Sequence, residues 1–350
     1  MRQVALVPRI AVVGGMIAAL SVTAVCRCAL ATGNQKELKA QAEALLAKSH
    51  DLSNIEASGS SPFMLTAQLR FVIDGKTGAG QGEIIWLGPG HYRETYSAPG
   101  YNYVEVAKDG QRYLSRTQND VPLLIYELKT LLAMALHPQL NTKKLKSATT
   151  MQDASGKTLT CAEMKLAVET LTVCLNDDGG VATMNRTFPA EQMSLNASYE
   201  FSDFASFDLR RFPLNMKFQG GDGHEVAVAV QTITPIVDVS GQHFDAPAGS
   251  MEEPWCAELK TIDPGPPVQS NLSAWSSLGI RTPRTTVVYL EIAPGGRPRG
   301  VTLIHSTAAI RQDDLERAIF GMRFPIVGCG GDGIEYEMEM SISAPPSVLP

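Results

Sequence analysis

Four tyrosines and a tryptophan lie close together in the first third of the chain, among short stretches that alternate between apolar and polar residues. They are Trp86, Tyr92, Tyr96, Tyr101 and Tyr103. Large aromatic rings with a polar tip either pack a core and its rim or line a cavity for an apolar ligand. Packing is the default interpretation. As the alternative, we predict that Trp86, Tyr92, Tyr96 and Tyr101 line a ligand cavity.

Three glutamates alternate with apolar residues near the end of the chain. Glu335, Glu337 and Glu339 would share one face of a strand, because successive side chains point to opposite faces. A solvated face that discourages edge-to-edge pairing is the preferred interpretation. The alternative is an acidic patch that selects a basic partner peptide.

Motifs for metal binding, phosphate binding or covalent catalysis are absent from the sequence. The six histidines are scattered, and neither His-Glu-x-x-His nor Gly-x-Ser-x-Gly occurs. The glycine-rich run at 78–82 precedes a strand pattern, which favours a flexible hairpin over a phosphate cradle. Gly-Gly-Asp-Gly at 220–223 and at 330–333 predicts turns, because a calcium loop needs more carboxylates. We therefore predict a protein that is not an enzyme and has no cofactor or metal.

The first 31 residues predict export. Arg2 and Arg9 form a short basic region before an uncharged apolar run at 10–25. Ala-Leu-Ala at 29–31 fits the small-x-small cleavage rule. The run is shorter than the roughly 20 residues that span a bilayer. We favour a signal peptide cleaved after Ala31 and a periplasmic protein. A retained inner-membrane anchor and a lipoprotein attached through Cys26 are the alternatives.

Charge and composition narrow the class of partner. Cleavage would remove three arginines and no acidic residue, so the net charge would change from −6 to −9. An acidic chain without a basic block argues against nucleic acid as a partner. With 44% hydrophobic residues, the remaining length suits two domains with buried cores.

Four cysteines follow the signal segment, and an even number in an exported protein indicates disulfides. Cys161 and Cys174 flank an apparent hairpin, so we predict that they pair. Closing this loop would stabilise the fold by about 3 kcal/mol on the chain-entropy model. Two buried free thiols are the alternative. Whether Cys256 and Cys329 pair is left open.

Strand signals dominate the chain after the signal segment. Residues 36–48 predict an amphipathic helix, and residues 63–74 alternate as a half-buried strand. A second helix begins near Pro122 and ends at 137–138. Turns separate further predicted strands at 83–87, 91–96, 101–106, 112–116, 158–168, 171–176, 181–188, 197–201 and 224–239. Such regular spacing predicts a curled antiparallel meander, a half-barrel with helices over its open face.

This arrangement resembles the lipoprotein-carrier (LolA-like) superfamily over residues 35–248. The residues that carry the likeness are Gly-Glu-Ile-Ile-Trp at 82–86, Gly-Pro-Gly-His-Tyr-Arg at 88–93, and the segment 226–249, VAVAVQTITPIVDVSGQHFDAPAG. The resemblance implies an apolar concavity that can hold acyl chains, and therefore a lipid or lipoprotein ligand.

The C-terminal segment predicts a β-β-α-β order. Val288, Leu290 and Ile292 alternate as a strand, a turn at 294–296 follows, and a helix opens at 313–314. The segment 284–343 resembles the C-terminal domain of TonB-type energy transducers, with Gly-Gly at the turn, His-Ser-Thr at 305–307 and Phe-Pro at 324–325. The resemblance implies an envelope module that meets a protein partner by strand addition.

The sequence thus predicts an α+β protein with a curved antiparallel half-barrel and a small ββαβ domain. Its predicted parts are a signal peptide at 1–31, a carrier-like domain at 32–248, a Pro-rich linker at 249–283 and a TonB-like domain at 284–345. The predicted function is binding of an apolar or lipidated ligand and docking to a protein partner. The alternatives are an interaction protein without a ligand and an anchored energy transducer that acts on outer-membrane transporters.

Overall fold

The computed structural model describes residues 35–73, 75–136, 140, 144–165, 170–188, 195–221, 223–236, 244–256, 267–268, 284–306, 310–329 and 332–344. The predicted signal peptide and most of the predicted linker lie outside the described residues.

Thirteen described strands form one open antiparallel sheet. They are β1 (Phe63–Ile73), β2 (Lys76–Gly88), β3 (His91–Ala98), β4 (Tyr101–Lys108), β5 (Gln111–Arg116), β6 (Leu145–Gln152), β7 (Thr158–Lys165), β8 (Thr170–Leu175), β9 (Val181–Phe188), β10 (Leu195–Phe207), β11 (Arg210–Gln219), β12 (Glu225–Pro235) and β13 (Met251–Pro254). The strand order is β13-β5-β4-β3-β2-β1-β12-β11-β10-β9-β8-β7-β6. Neighbours in sequence are therefore mostly neighbours in space, as short hairpins require.

The glycine-rich run was wrongly predicted to be a flexible hairpin. Residues 78–82 lie inside β2, which pairs with β1 over residues 76–86. A Cβ at Gly80 would lie 2.0 Å from the backbone oxygen of Ser97 on β3, so only glycine allows this approach. The turn itself is at Gly75, whose φ is +74°.

Two strands of the large sheet, β6 and β11, have weak sequence signals and were not predicted, and β13, which lies in the predicted linker, was not predicted either. β6 is rich in Ser and Thr, and β11 contains Pro213 and begins with two arginines, which interrupts its alternation. β10 is longer than predicted and continues beyond Asp203, whose φ is +53°. Pairing with neighbouring strands, rather than local pattern, makes these segments strands.

Two helices cover one face of the sheet, which we call the inner face. The helix α1 (Gln35–Ser53) packs against β6, β7 and β11, and α2 (Leu123–Leu136) packs against β11 and β12. Both helices were predicted. Apolar residues from the helices and from alternate strand positions form one continuous core. No residue of α2 is exposed, because its second side is covered as well.

The C-terminal segment covers that second side. It forms β14 (Arg284–Ile292), β15 (Pro298–Ser306), α3 (Gln312–Phe320), β16 (Gly328–Cys329), β17 (Asp332–Gly333) and β18 (Tyr336–Ala344). A three-stranded sheet, which we call the small sheet, has the order β15-β14-β18. Val288 and Leu290 pack against Leu315 and Ile319 of α3 on one face. On the other face, the ring of Tyr289 lies 4.9 Å from the ring of Tyr126 of α2.

The fold-class prediction was wrong about the small ββαβ domain. The described chain is mostly antiparallel sheet with three helices, and β16 and β17 interrupt the predicted order between α3 and β18. The segment also uses both faces of the small sheet, one against α3 and one against α2. The alternation in β18 suggested a complete unit with one wet face, but that face is an internal interface.

Two disulfides cross-link the described chain, one within a hairpin and one between distant segments. Cys161 and Cys174, the pair predicted from the sequence, lie directly opposite each other on β7 and β8 and are joined. Cys256 is joined to Cys329 of β16. Because β13 pairs with β5 and ends two residues before Cys256, this bond ties the C-terminal segment to the edge of the large sheet. β13 lies inside the segment predicted to be a linker.

Candidate functional site

A cavity of about 270 Å³ lies between the β3–β5 end of the inner face, α2 and the residues that lead into β18. Leu132, Ala133 and Leu136 of α2 form its apolar side, together with the rings of Tyr92 and Tyr96 from β3. The rest of the lining, which we call the polar wall, contains five carboxylates and two cationic groups. These are Glu56, Glu94, Glu105, Glu335, Glu337, Arg112 and Lys129. The cavity therefore joins an apolar region to a strongly charged one.

Glu105 of β4 is a buried carboxylate at the centre of the polar wall. Tyr92 Oη donates a hydrogen bond to its Oε1 at 2.6 Å, and Tyr103 Oη donates to its Oε2. Arg112 Nη1 lies 3.9 Å from Oε1. Burial alone would raise the pKa of Glu105, but the positive charges of Arg112 and Lys129 outweigh it and lower the pKa to about 2. Glu105 is therefore ionised at neutral pH.

The tyrosines around Glu105 remain neutral donors. Burial, followed by the charge of Glu105 and Glu94, raises the pKa of Tyr92 well above its ordinary value. The same causes operate at Tyr96, where Glu94 Oε2 accepts a hydrogen bond from the hydroxyl at 3.0 Å. Each hydroxyl therefore keeps its proton and donates a hydrogen bond to a carboxylate.

The register between β3 and β4 places Glu94 directly opposite Glu105. Both carboxylates line the cavity, so both lie on the inner face. Side chains that face each other across antiparallel strands are close, and like charges there repel. The register therefore places two carboxylates side by side in this part of the wall.

Arg112 links the large sheet to the C-terminal segment. It lies directly opposite Glu253 of β13 and donates a hydrogen bond from Nη2 to Oε2 of that carboxylate. The same Nη2 donates to the backbone oxygen of Glu335 at 3.3 Å, and Glu335 N donates to Glu253 Oε1 at 3.1 Å. The β13 edge strand therefore helps to hold the start of β18 in place.

The acidic row at the C-terminus is buried, so the prediction of a solvated face was wrong. The side chains of Glu335, Glu337 and Glu339 are 3%, 15% and 6% exposed. Glu337 Oε2 lies 3.2 Å from Lys129 Nζ of α2. Glu339 Oε2 lies 2.8 Å from Arg186 Nη2 of β9. The acidic row therefore binds basic groups, as in the alternative interpretation, but these groups belong to the same chain.

Glu335 is held by two arginines from different parts of the chain. Arg116 Nη1 of β5 donates to its Oε1 at 2.6 Å, and Arg299 Nη1 of β15 donates to its Oε2 at 2.5 Å. Burial raises the pKa of Glu335, but these hydrogen bonds outweigh it and the pKa is below its ordinary value. Arg299 Nη2 also donates to Glu291 at 2.8 Å. Burial dominates there and raises the pKa of Glu291.

The structure brings together two of the four aromatic residues predicted to line a cavity. Tyr92 and Tyr96 line the cavity described above. Trp86 stacks on Phe63 with ring centroids 5.5 Å apart, and Tyr101 is buried in the same core. Among the described residues, Trp86 and Tyr101 are not part of the cavity wall.

The sequence was not read as predicting the charged wall, although it contains a signal for it. Glu105 shares its strand face with Tyr101, Tyr103 and Ala107, all of which are buried. Arg112 likewise shares a face with Leu114. A charged residue at an apolar phase of a strand marks a buried polar site, and two such residues on adjacent strands mark it more strongly.

Two absences apply to the part of the chain that the structure describes. No group of three or more His, Cys, Asp or Glu side chains in it is arranged to hold a metal ion. No helix in it is long and apolar enough to cross a membrane.

Comparison with known proteins gives weak structural likenesses. No family model matches the sequence, and no curated protein matches it. The solved structures that it resembles include a putative outer-membrane lipoprotein-sorting protein domain from Vibrio parahaemolyticus, with a TM-score of 0.38 and 10% identity over 61% of this chain and 97% of that one.

Two further solved structures give similar values. A DUF1329-family protein from Desulfovibrio piger has a TM-score of 0.37 and 10% identity over 61% of this chain and 98% of that one. A LolA-superfamily protein from Nitrosomonas europaea has a TM-score of 0.35 and 8% identity over 58% of this chain and 97% of that one. A TonB-like domain is not shown by the comparisons. At these TM-scores the likeness carries no argument about function, and the site itself has to supply one.

Proposed function

We propose that this protein is a non-enzymatic binding protein of the cell envelope that holds an amphipathic or lipidated ligand between α2 and the inner face. The observation that carries the proposal is the cavity of about 270 Å³, which joins the apolar side of α2 to a charged wall. Ligand sites combine apolar walls with a few placed polar groups in this way, and the volume is just below the usual range of about 300–1,000 Å³.

The position of α2 supports this proposal. Leu132 and Leu136 belong to the main core, whereas Ala133 is only half-buried and faces the cavity with a single methyl group. A larger side chain at 133 would occupy the space. The small residue therefore keeps room for a ligand chain beside the tyrosine rings.

The two disulfides support a periplasmic location. Cys161–Cys174 and Cys256–Cys329 both bridge described parts of the fold. Disulfides persist in oxidising compartments such as the bacterial periplasm and are rare in the cytosol. Export through the predicted signal peptide at 1–31 would place the chain in such a compartment.

Native mass spectrometry of the full chain, purified from the periplasm without detergent, tests the proposal. A co-purifying lipid or lipopeptide mass is expected. The delipidated protein should then take up a fluorescent acyl probe, and Ala133→Phe should abolish that uptake because the ring fills the cavity. Ala79→Phe makes the same change at an exposed position of β2 and should leave uptake intact. If the unaltered chain binds neither lipid nor probe, the proposal fails.

A second candidate is an interaction protein without a ligand. The stacked rings of Trp86 and Phe63 favour it, since the centre of the inner face is filled by side chains. A bare chain in the mass spectrum, together with no probe uptake, would support this candidate.

A further inference from the structure

Two attachments hold the start of β18 against the edge strand β13. Cys329 of β16 is joined to Cys256, which lies two residues after β13. Further along the chain, Glu335 N donates a hydrogen bond to Oε1 of Glu253 on β13 at 3.1 Å. Arg112 Nη2 connects the same two residues, since it donates to Glu253 and to the backbone oxygen of Glu335. One covalent bond and a set of hydrogen bonds therefore fix the same part of the C-terminal segment.

This part of the C-terminal segment forms one side of the cavity. Glu335, Tyr336 and Glu337 line the cavity, and they follow the short β16–β17 pair that carries Cys329. Ala133 of α2 lines the cavity from another element. A shift of the start of β18 relative to β13 would therefore change the shape of the cavity.

The C-terminal segment has an apolar core of its own. Val288 and Leu290 pack with Leu315 of α3 in a cluster that is separate from the main core. Hydrogen bonds to Val121, which lies just before α2, join the segment to the rest of the chain. Val121 N donates to Glu291 Oε1 at 3.0 Å, and Tyr289 Oη donates to the backbone oxygen of Val121 at 3.1 Å. Such polar contacts can open while each apolar core stays intact.

The two disulfides differ in their exposure to solvent. Cys161 and Cys174 are 3% and 1% exposed and lie on adjacent strands of the large sheet. Cys329 is buried as well, but Cys256 is only half-buried. The rate at which a thiolate attacks a disulfide depends on access to the sulfur atom. A reductant should therefore reach Cys256 in the folded protein, and should reach Cys161–Cys174 only when the hairpin opens.

We propose that Cys256–Cys329 is a reducible latch for this side of the cavity, which a dithiol reductant opens while Cys161–Cys174 stays oxidised. A thiolate of the reductant attacks Sγ of Cys256, the S–S bond breaks, and Cys329 leaves as a thiolate that takes up a proton. The second thiol of the reductant loses its proton and attacks the mixed disulfide. Cys256 is then released as a thiolate and is protonated in turn. Two electrons pass to the protein, and the reductant becomes a disulfide.

Opening the latch should loosen the C-terminal segment without unfolding it. Residues 257–283 are then the covalent connection that remains between Cys256 and β14. The hydrogen bonds at Glu335 and Val121 should open more often, because the disulfide no longer limits how far their partners separate. This inference goes beyond the proposed function. It concerns the position of the C-terminal segment and holds whether or not the cavity takes a ligand.

Alkylation during a titration with dithiothreitol identifies the bond that is reduced first. The oxidised full chain is treated under native conditions, and mass spectrometry of its peptides locates the alkylated cysteines. Cys256 and Cys329 should be alkylated at a reductant concentration at least roughly tenfold below that which opens Cys161–Cys174. Simultaneous reduction of the two bonds, earlier reduction of Cys161–Cys174, or no reduction of Cys256–Cys329 in the folded protein would overturn the proposal.

Hydrogen exchange shows whether this bond acts as a latch. The amides of Glu335 and Val121 donate to carboxylates on the other side of the interface, so their exchange reports its opening. Selective reduction should speed the exchange of both amides roughly tenfold or more, and should leave the amides of β7 and β8 unchanged. Reoxidation with glutathione disulfide should restore slow exchange. Unchanged exchange at Glu335 and Val121 would overturn the proposal.

A matched pair of double variants separates the latch from general stability. Cys256→Ser with Cys329→Ser should show fast exchange at Glu335 and Val121 without any reductant. Cys161→Ser with Cys174→Ser removes the other bond and should leave these two amides slow. Fast exchange in both double variants would overturn the proposal, because any loss of stability would then have the same effect. If a double variant does not fold by circular dichroism, selective reduction of the unaltered chain decides.

Discussion

The two ends of the inner face are built on opposite chemistry. Under α1 and α2 the face is apolar, with Leu65, Leu69 and Phe71 of β1 in one core with both helices. At β3 to β5 the same face carries Glu105 and Arg112, and the small sheet covers it through ion pairs. Both ends are almost fully shielded from solvent, so burial alone does not distinguish them.

The same alternation of apolar and polar residues has different structural consequences in β1 and in β18. In β1 the apolar positions face a core and the polar positions are half-buried or exposed, as a half-buried strand should be. In β18 the apolar positions face α3, and the acidic positions face arginines and a lysine. A polar strand face can lie against water or against a protein surface of opposite charge. Which of the two occurs depends on the segment that packs against the strand, and the strand's own sequence does not show it.

Removing a carboxylate from the charged end should have the largest effect. Glu335→Ala would leave the buried Arg116 without its counterion and remove one of the two carboxylates that bind Arg299, and breaking a buried pair costs about 3–5 kcal/mol. Urea denaturation would measure the change in the free energy of unfolding. Glu252→Ala removes an exposed carboxylate from β13 and should change stability by less than about 0.5 kcal/mol. If the two variants lowered the free energy of unfolding equally, the buried ion pairs at the charged end would not contribute more to stability than an exposed carboxylate does.

Loss of the Cys256–Cys329 disulfide, which ties the C-terminal segment to the edge of the large sheet, should have the second-largest effect on stability. Replacing Cys256 and Cys329 by serine opens a loop with a sequence separation of 73 residues, which costs about 4 kcal/mol on the chain-entropy model. Replacing Cys161 and Cys174 opens a loop with a separation of 13 residues and should cost about 3 kcal/mol. Thermal unfolding of both double variants compares the two bonds. A larger loss at Cys161–Cys174 would contradict the prediction.

A cavity in the apolar end should cost about 3 kcal/mol. Leu131→Ala on α2 removes a fully buried side chain, and such changes cost about 2–5 kcal/mol according to how far the site collapses. Leu209→Ala, at a residue that is 96% exposed, is the matched control and should be nearly neutral. Added salt should not alter the effect of Leu131→Ala, because no charge is involved. If the destabilisation by Leu131→Ala depended strongly on salt, the apolar end could not be distinguished from the charged end by its chemistry.

A fall in pH should progressively lower the stabilisation that the charged end gives to the folded protein. The pKa values of Glu105 and Glu335 are lower in the folded protein than in the unfolded chain, so both carboxylates stabilise the fold above their ordinary pKa and lose this contribution as the pH falls. For Glu105 the loss continues down to about pH 2. The raised pKa of Glu291 acts in the opposite sense and offsets part of this loss. Urea midpoints from pH 6 to pH 3 would show the decline, and Glu105→Gln should flatten it. An unchanged slope in that variant would exclude Glu105 as a cause.

Much of the fold follows from local pattern. The spacing of leucines defines α2, and the alternation in 63–74 defines β1, because each periodicity matches one backbone geometry. β6 and β11 could not be found in this way. Their sequences, with Ser and Thr in one and Pro213 in the other, become strands by pairing with neighbours that are already formed.

The candidate site was predictable only in part. Tyr92 and Tyr96 were identified because aromatic residues are conspicuous in a meander, and they line the cavity. Glu94 and Glu105 were not, since their proximity depends on the β3–β4 register, which no local pattern displays. Lys129 joins them from a helix, so its contribution depends on the docking of α2.

The sequence by itself determined which faces of the strands and helices are apolar and which cysteines close a short hairpin. Tertiary structure alone decided what covers the polar faces. Local periodicity fixes the direction of a side chain relative to its own element, whereas its partner depends on contacts between distant residues. The pairing of Glu337 with Lys129, 208 residues apart, is of this second kind.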